Sequence, residues 1–503
     1  VHEPSQTKGV GSPDFVLYNE GEAIIGYVEC KQRGKDLDET IASEQVKKYG
    51  ALSDNALITD YGRFILLYND HILQEVDLSE SSARTTENKE ALCALIVDFM
   101  GAKIKKIDDP ENLAGILARR CRALRDAMEK MPEGSKAAKE LGFLREDFKK
   151  SLYHGITSEQ FADALAQTVT YTLLFAKLYG KIEDELTIEG AKKRIPENFA
   201  LIRGISSFLG KVEDTPLNPF LERILKAINA IDPLALTEKA GKQGGTDEDP
   251  YFYFYENFLT KYSEKTRKKR GVYYTPPSAV KFIVRATDDI LQRDFGKRGG
   301  LADLSVTALD FAAGTGTFML EIIRLALEGK NIAKADIIAR EQLLKNLFGF
   351  EFIISSYVIA HLKIAAFYKE MGIELKNDER INIFLTNTLE QNATGQGNLA
   401  IAALADEMEY AQKIKEKKIL VITGNPPYSG HAQTAGSETF MRPAKKDPTR
   451  QVQDVRDTWI GELLRDYYEV DGKPLGEKNT KWLQNDYVKF IRFAQHKIEE
   501  AGQ

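Results

Sequence analysis

The sequence predicts a multidomain α/β chain: a small α/β domain at the amino end, a helical connector, and a parallel-sheet α/β core behind it. Three observations carry that expectation. Two strand-like runs open the chain, at residues 15–18 and 23–31. From about residue 91 to 180, apolar side chains recur at three and four, the spacing of a buried helical face. Beyond residue 300, short apolar runs such as 347–350 and 419–422 end abruptly in polar residues, as strands buried on both faces of a parallel sheet do.

Composition bounds the reading. A length of 503 residues suffices for two or three domains. Hydrophobic content of 43% and charged content of 29% describe ordinary soluble globular material. The chain contains no apolar run of the ~18 residues a membrane span needs, and no signal peptide opens it. Cys30, Cys93 and Cys121 are far apart and form no pairing or zinc pattern, which fits a reducing cytoplasm. A net charge of −6 leaves nucleic-acid contact to local basic surface. The chain starts at Val1 without an initiator Met, so further residues are expected upstream.

In the amino-terminal domain, Gly11-Ser12-Pro13-Asp14 is a turn feeding the first strand, and the second ends in Glu29-Cys30-Lys31. Glu29 and Lys31 are two apart, so a strand puts both on one face. Asp14 and Glu29 on adjacent strands can hold a divalent cation through hard oxygen ligands, and a lysine beside them can orient a water. A hairpin bearing surface charges would carry the same residues. Residues 39–50 read as a helix with Gln45 and Tyr49, and 56–59 and 64–68 as two further strands. This set resembles the Pro-Asp…Glu-x-Lys and Gln-x-x-x-Tyr pattern of the PD-(D/E)xK nucleases. The resemblance implies an αβββαβ core whose first helix is largely absent. It also implies a magnesium ion on Asp14, Glu29 and the backbone carbonyl of Cys30, with Lys31 and Gln45 completing the catalytic set.

The middle reads as a helical connector over about 91–245. Leu113, Leu117, Cys121, Leu124 and Met128 share one face. Thr157-Ser158-Glu159-Gln160 is a capping box before residues 161–179, with Gly180 at the position after the helix. The pattern continues over 208–230. His154 and His361 are lone histidines and read as structural. The Gly-rich stretch 241–247 is the internal boundary the sequence marks.

The carboxyl half, 246–503, begins with an aromatic run and the basic cluster Arg267-Lys268-Lys269-Arg270, which suits either a phosphate contact or a solvated turn. Gly271-Val272-Tyr273-Tyr274-Thr275-Pro276 follows. Next comes Asp310-Phe311-Ala312-Ala313-Gly314-Thr315-Gly316, where two glycines let the backbone approach a ligand. A dinucleotide fold would place a third Gly and a pyrophosphate here. Instead an Asp closes the strand, repelling phosphate but suiting a cationic aminoacyl ligand. Glu351 ends a second strand, where a carboxylate can accept from ribose hydroxyls. Asn387 ends a third. A fourth runs into Gly424-Asn425-Pro426-Pro427-Tyr428. Two prolines make this strand end rigid. It offers an amide oxygen, a carbonyl and an aromatic plate, the parts a planar base with an exocyclic NH₂ requires.

Asn-Pro-Pro-Tyr and the segments before it resemble the Rossmann-like, S-adenosylmethionine-dependent methyltransferases that act on adenine N6 in DNA. The resemblance implies that Asn425 and Pro426 accept from the amino group of an adenine flipped out of double-stranded DNA, with Pro427 stiffening the turn and Tyr428 stacking on the base. It implies a cofactor site of Tyr274, Thr275, Pro276, Asp310, Ala312, Gly314, Gly316, Glu351, Asn387 and Asn425. Protein-glutamine methyltransferases carry the same tetrapeptide but are generally shorter and lack a nuclease-like domain.

The whole order resembles single-chain restriction-modification enzymes of the type IIG/IIL and type ISP groups. These enzymes methylate and cleave DNA, a pairing suited to phage defence. No phosphate loop of the Gly-x-x-x-x-Gly-Lys-Ser/Thr kind is present, which disfavours the translocating version. A methylation-only protein with an inactive nuclease-like domain is the alternative. The polar stretch 430–480 reads as an insert that closes over DNA or stays a loop, and Asp486–Ala501 as a helix. A target recognition domain is expected beyond residue 503.

Overall fold

The computed structural model describes residues 13–18, 24–43, 46, 55–68, 71–101, 107, 110–132, 134–151, 156–179, 185–212, 215–231, 258, 261–262, 275–391, 402–428, 434–444, 447–477 and 480–502. Contacts divide the chain into two units, Val1–Ile107 and Asp108–Gln503.

In the first unit, β1 (Phe15–Tyr18) and β2 (Ile24–Cys30) pair antiparallel, with Phe15 opposite Val28. Helix α1 (Leu37–Ala42) crosses over to β3 (Asn55–Thr59), which runs parallel to β2. Then β4 (Arg63–Tyr68) and β5 (His71–Asp77) add antiparallel, so the sheet reads β1-β2-β3-β4-β5. Strand alternation sends Ala56 and Ile58 to one face, with Val16, Leu37 and Ile65. Leu57 goes to the other, with Leu66, Val76, and Leu95 and Phe99 of α2 (Thr86–Gly101). Gly26 admits that helix: a Cβ there would lie 2.7 Å from the Phe99 ring. Asn55 Nδ2 donates to Phe99 O at 2.6 Å.

The amino-terminal domain expected over residues 1–90 is followed by α2, which buries its apolar face on this sheet, and contacts divide the chain after Ile107. Among the described residues the order is two strands, a helix, three strands and a helix, and β5 continues the antiparallel ladder beyond the strands the sequence marked. The expected helix 39–50 is described as Leu37–Ala42, and Gln45 and Tyr49 lie outside the described residues.

The second unit joins the expected connector and core in one body. Its helices are α3 (Pro110–Glu129), α4 (Lys136–Ser151), α5 (Ser158–Tyr179), α6 (Ile188–Arg194), α7 (Ala200–Val212) and α8 (Asn218–Asn229). All five apolar positions read on α3 are buried. The capping box forms reciprocally: Gln160 N donates to Thr157 Oγ1 at 3.2 Å, and Thr157 N donates to Gln160 Oε1 at 3.0 Å. His154, Gly180, the 241–247 stretch and the basic cluster 267–270 lie outside the described residues.

Next, α9 (Pro277–Arg293) packs on α10 (Thr317–Leu327). Strands β6 (Ala308–Asp310), β7 (Leu347–Glu351), β8 (Ile383–Leu385) and β9 (Val421–Thr423) form a fully parallel sheet ordered β8-β7-β6-β9. Helix α11 (Ile332–Ile338) precedes β7, and α12 (Ile354–Glu370) lies against α5, tying the sheet to the helices before it. His361 of α12 is buried beside Tyr357 and Phe199, its Nδ1 2.9 Å from Tyr357 O, a structural setting.

The strand order reverses between β6 and β9, and open α/β sheets bind ligands at the carboxyl ends of strands around such a switch point. Beyond it come α13 (Ala402–Lys415), the antiparallel pair β10 (Ser437–Ala444) and β11 (Asp447–Asp457), and α14 (Trp459–Leu464), in sequence order around β9. The stretch read as a polar insert therefore contains a hairpin, and Ile460 of α14 enters the sheet's core. Helix α15 (Asp486–Ala501) adds Phe490 and Phe493 to that core. Among the described residues, no helix is long and apolar enough to cross a membrane.

Candidate active sites

In the second unit, the segments after β6, β7, β8 and β9 converge. Gly314 (φ 55°) and Gly316 (φ 75°) hold left-handed conformations after β6 that glycine adopts without a Cβ clash. A Cβ on Gly316 would lie 3.1 Å from Ala360 Cβ, whereas one on Gly314 would meet nothing nearer than Ala312 O at 4.0 Å. The backbone at Gly314 thus has open space for a ligand. Ala313 N donates to Phe350 O at 2.8 Å, and Gly314 N to Glu351 Oε2 at 2.6 Å. The other Glu351 oxygen accepts from Ile353 N at 2.6 Å.

Asp310 is 0% exposed. Its Oδ1 accepts from Ala312 N at 3.2 Å, while its Oδ2 has no hydrogen-bond partner among the described residues. Burial pushes its carboxyl up to about 8, and burial also pushes Glu351 up to about 7. A buried carboxyl with an open lone pair beside a glycine turn fits the cationic end of an aminoacyl sulfonium ligand. Glu351, held on the next strand, retains lone pairs for ribose hydroxyls.

The β9 end passes directly over this carboxyl. Gly424 has φ 144°, and a Cβ there would lie 2.8 Å from Asp310 Oδ1. Asn425 and Pro427 are half-buried and Pro426 is buried. Tyr428 is 51% exposed; its hydroxyl donates to Asn425 Oδ1 at 2.6 Å, and its ring stacks on Tyr487 of α15 with centroids 5.4 Å apart.

Asn387 turns its Oδ1 to Leu389 N at 3.1 Å and donates from Nδ2 to Thr434 Oγ1 at 3.3 Å. Its oxygen thus caps its own turn. Thr388 Oγ1 donates to Phe311 O at 2.7 Å, joining the segment after β8 to that after β6. Thr275 and Pro276 stand immediately before α9, and Tyr274 lies outside the described residues.

Sequence reasoning missed three supporting residues here. Gly424, just before the more conspicuous Asn-Pro-Pro-Tyr, carries no local signal of its approach to Asp310. Lys415, at the end of α13, is buried and donates from Nζ to Thr386 Oγ1 (3.1 Å), Asn387 O (2.7 Å) and Glu390 O (2.5 Å). Burial pulls its ammonium down to about 7. Lys489 of α15, likewise buried, donates to Thr434 O at 2.5 Å and meets Asp486 at 3.4 Å.

In the first unit, Asp14 Oδ2 accepts from Cys30 N at 2.6 Å, and continuing the β1–β2 register sets Asp14 opposite Glu29. Glu29 is buried and ion-paired to Lys31, whose N donates to Thr59 O at 2.7 Å. Asp14, Glu29 and Lys31 therefore meet at the carboxyl edge of β2. Two carboxylates suit a hard divalent cation, though no group of three or more candidate metal ligands occurs among the described residues.

Residues 247–460 match the family model described as N-6 DNA Methylase. No curated protein matches the chain in sequence. Several solved structures are similar in fold, three of them as follows. One is the cryoEM structure of a DrdV–DNA complex, 23% identical with a TM-score of 0.54, over 99% of this chain and 44% of that one. Another is a nuclease-deletion mutant of the Type ISP restriction-modification enzyme LlaGI in complex with a DNA substrate mimic, 20% identical, TM-score 0.50, over 82% and 30%. The third is the ATP-dependent Type ISP restriction-modification enzyme LlaBIII bound to DNA, 18% identical, TM-score 0.50, over 82% and 26%. This chain spans less than half the length of each.

Proposed function

We propose, from the N-6 DNA methylase domain that this chain carries at residues 247–460, that it transfers a methyl group from S-adenosylmethionine to adenine N6 in double-stranded DNA. We propose further that its amino-terminal unit cleaves DNA lacking that mark, which together make a restriction-modification enzyme. The observation that carries the first activity is the passage of the β9 end across Asp310: Gly424 brings Asn425 and Pro426 to the carboxyl that would hold the cofactor's cationic end.

S-Adenosylmethionine supplies an electrophilic methyl group, and the chain's part is positioning. Asp310, the Gly314 backbone and Glu351 would hold the cofactor, supported by Thr275, Pro276, Asn387 and the Ala312–Gly316 turn. The adenine amino group replaces the Tyr428 hydroxyl at Asn425 Oδ1, and Pro426 O accepts its second N–H. Two acceptors on the two N–H groups steer the nitrogen lone pair toward the methyl. Tyr428 stacks on the flipped base, and Pro427 keeps the turn from relaxing.

In the amino-terminal unit, Asp14, Glu29 and the Cys30 carbonyl would hold Mg²⁺, which supplies charge stabilisation at a phosphate. Lys31, tethered to Glu29, orients the attacking water.

The test is a pair of separations on unmethylated plasmid. Asn425→Ala should lose roughly 100-fold or more of N6-methyladenine formation by nucleoside mass spectrometry. Lys31→Ala should stop magnesium-dependent cutting and keep methylation. Normal methylation by Asn425→Ala would sink the first assignment, and loss of both activities in Lys31→Ala would argue against two sites.

A further inference from the structure

Tyr428, which closes the Asn-Pro-Pro-Tyr strand end, is held both by its hydroxyl and by its ring. The hydroxyl donates to Asn425 Oδ1 at 2.6 Å, and the ring stacks on Tyr487 with centroids 5.4 Å apart and planes 27° from parallel. Aromatic quadrupoles favour such an offset stack. The first hold is the one a substrate would take, since an amino group arriving at Asn425 Oδ1 displaces the hydroxyl. The second can outlast that exchange, because it uses a face of the ring rather than its polar edge. A ring has two faces, and Tyr487 covers one of them.

Tyr487 is itself fixed from its own helix. It stands in the first turn of α15, where Asn485 caps the helix by accepting from Tyr487 N at 3.0 Å. Helical spacing gathers Asp486, Lys489, Phe490 and Phe493 on one stripe with 487 at its edge. Those four are buried, whereas Tyr487 is 37% exposed, so the core is packed without its ring. The buried pair grips the cofactor side of the proposed site. Thr434 N donates to Asp486 Oδ1 at 3.3 Å, Lys489 Nζ donates to Thr434 O at 2.5 Å, and Asn387 Nδ2 donates to Thr434 Oγ1 at 3.3 Å. One helical turn therefore carries the ring behind Tyr428 and is tied to the segment after β8.

We propose that Tyr487 is a positioning residue for the target base: it backs Tyr428, so that the other face of that ring stays in place for the flipped adenine once the hydroxyl has left Asn425. This rests on the methyl-transfer reading above. A plate already held against a rigid helix costs little ordering when the base arrives, whereas an unbacked Tyr428 would have to be ordered by the base itself. Tyr487 touches neither base nor cofactor in this arrangement and acts through Tyr428.

The experiment compares the parent chain, Tyr487→Ala, Tyr487→Phe, Tyr428→Ala, the double variant of Tyr428→Ala with Tyr487→Ala, and Asn425→Ala. N6-methyladenine formation is followed over a range of unmethylated plasmid at saturating S-adenosylmethionine, with cofactor affinity and melting temperature measured in parallel. Tyr487→Ala should lower kcat/KM for DNA about two- to tenfold, the worth of one aromatic pair. Tyr487→Phe keeps the ring and should recover most of that loss. Cofactor affinity and melting temperature should hold in both. In the Tyr428→Ala background, Tyr487→Ala should cost nothing further, because residues that act through one contact are not additive. A parental rate in Tyr487→Ala, with Asn425→Ala inactive, overturns the positioning and leaves methyl transfer standing. So does a loss that adds in full to that of Tyr428→Ala, or one that Tyr487→Phe shares. Parental methylation by Asn425→Ala, or none by the parent, removes the site and Tyr487's part in it.

Discussion

Asp310 decides how the proposed cofactor site should respond to pH. A carboxyl buried with one oxygen unpartnered among the described residues stays protonated well above the usual carboxylate range. The unfolded chain ionises this group near its ordinary value, and the folded protein only near 8. Between those values the folded state binds the extra proton, so this residue's contribution to stability falls as pH rises through the window. A cation placed against the carboxyl draws that proton off. Affinity for S-adenosylmethionine should therefore rise from pH 6 to about 8 and then level, by at most about tenfold per pH unit for each proton released. Calorimetry in buffers of different ionisation enthalpy would count the protons. Asp310→Asn should bind more weakly and with a flatter profile. A pH-independent affinity in the parent would remove Asp310 from the cofactor's cationic end.

Elements bring that residue its neighbours, and some of that was legible. Helix α15 was read with its observed bounds, Asp486–Ala501, and α3 by its buried stripe, because both bury one face at helical spacing. The four strand ends carrying Asp310, Glu351, Asn387 and Asn425 were legible as apolar runs stopped by polar residues, and the structure gathers their following segments in one crevice. The boundary at 107 was not, because α2 carries no local mark of the sheet it packs on. Nor was Lys415: a lysine closing a polar helix looks solvated, and only the fold shows its ammonium donating to three acceptors around Asn387. That arrangement predicts its effect. Lys415→Met leaves those acceptors without their donor and loosens the segment after β8, so KM for S-adenosylmethionine should rise several-fold with little change in kcat. Lys415→Arg should recover part of the loss. Steady-state methylation kinetics decide it, and a fall in kcat at constant KM would mean that Lys415 acts elsewhere.

At the scale of the whole molecule, two units carry two proposed chemistries, and each has its own buried core: Val16, Ile58 and Ile65 with Leu66 and Phe99 in the first, and Leu309, Phe350 and Phe493 among others in the second. A ligand that binds only the folded form of one core stabilises that core alone, by an amount set by its concentration over its dissociation constant. Calorimetric melting of the whole chain should therefore show a transition for Asp108–Gln503 that S-adenosylmethionine raises and one for Val1–Ile107 that it leaves in place. The helices before the parallel sheet should melt with it, since α5 packs on α12 within the second unit, rather than form a third transition. Asp310→Asn should abolish the cofactor's shift without moving the other transition. If both transitions rise together with cofactor, the units share one cooperative fold, and cleavage would then be thermodynamically linked to cofactor binding.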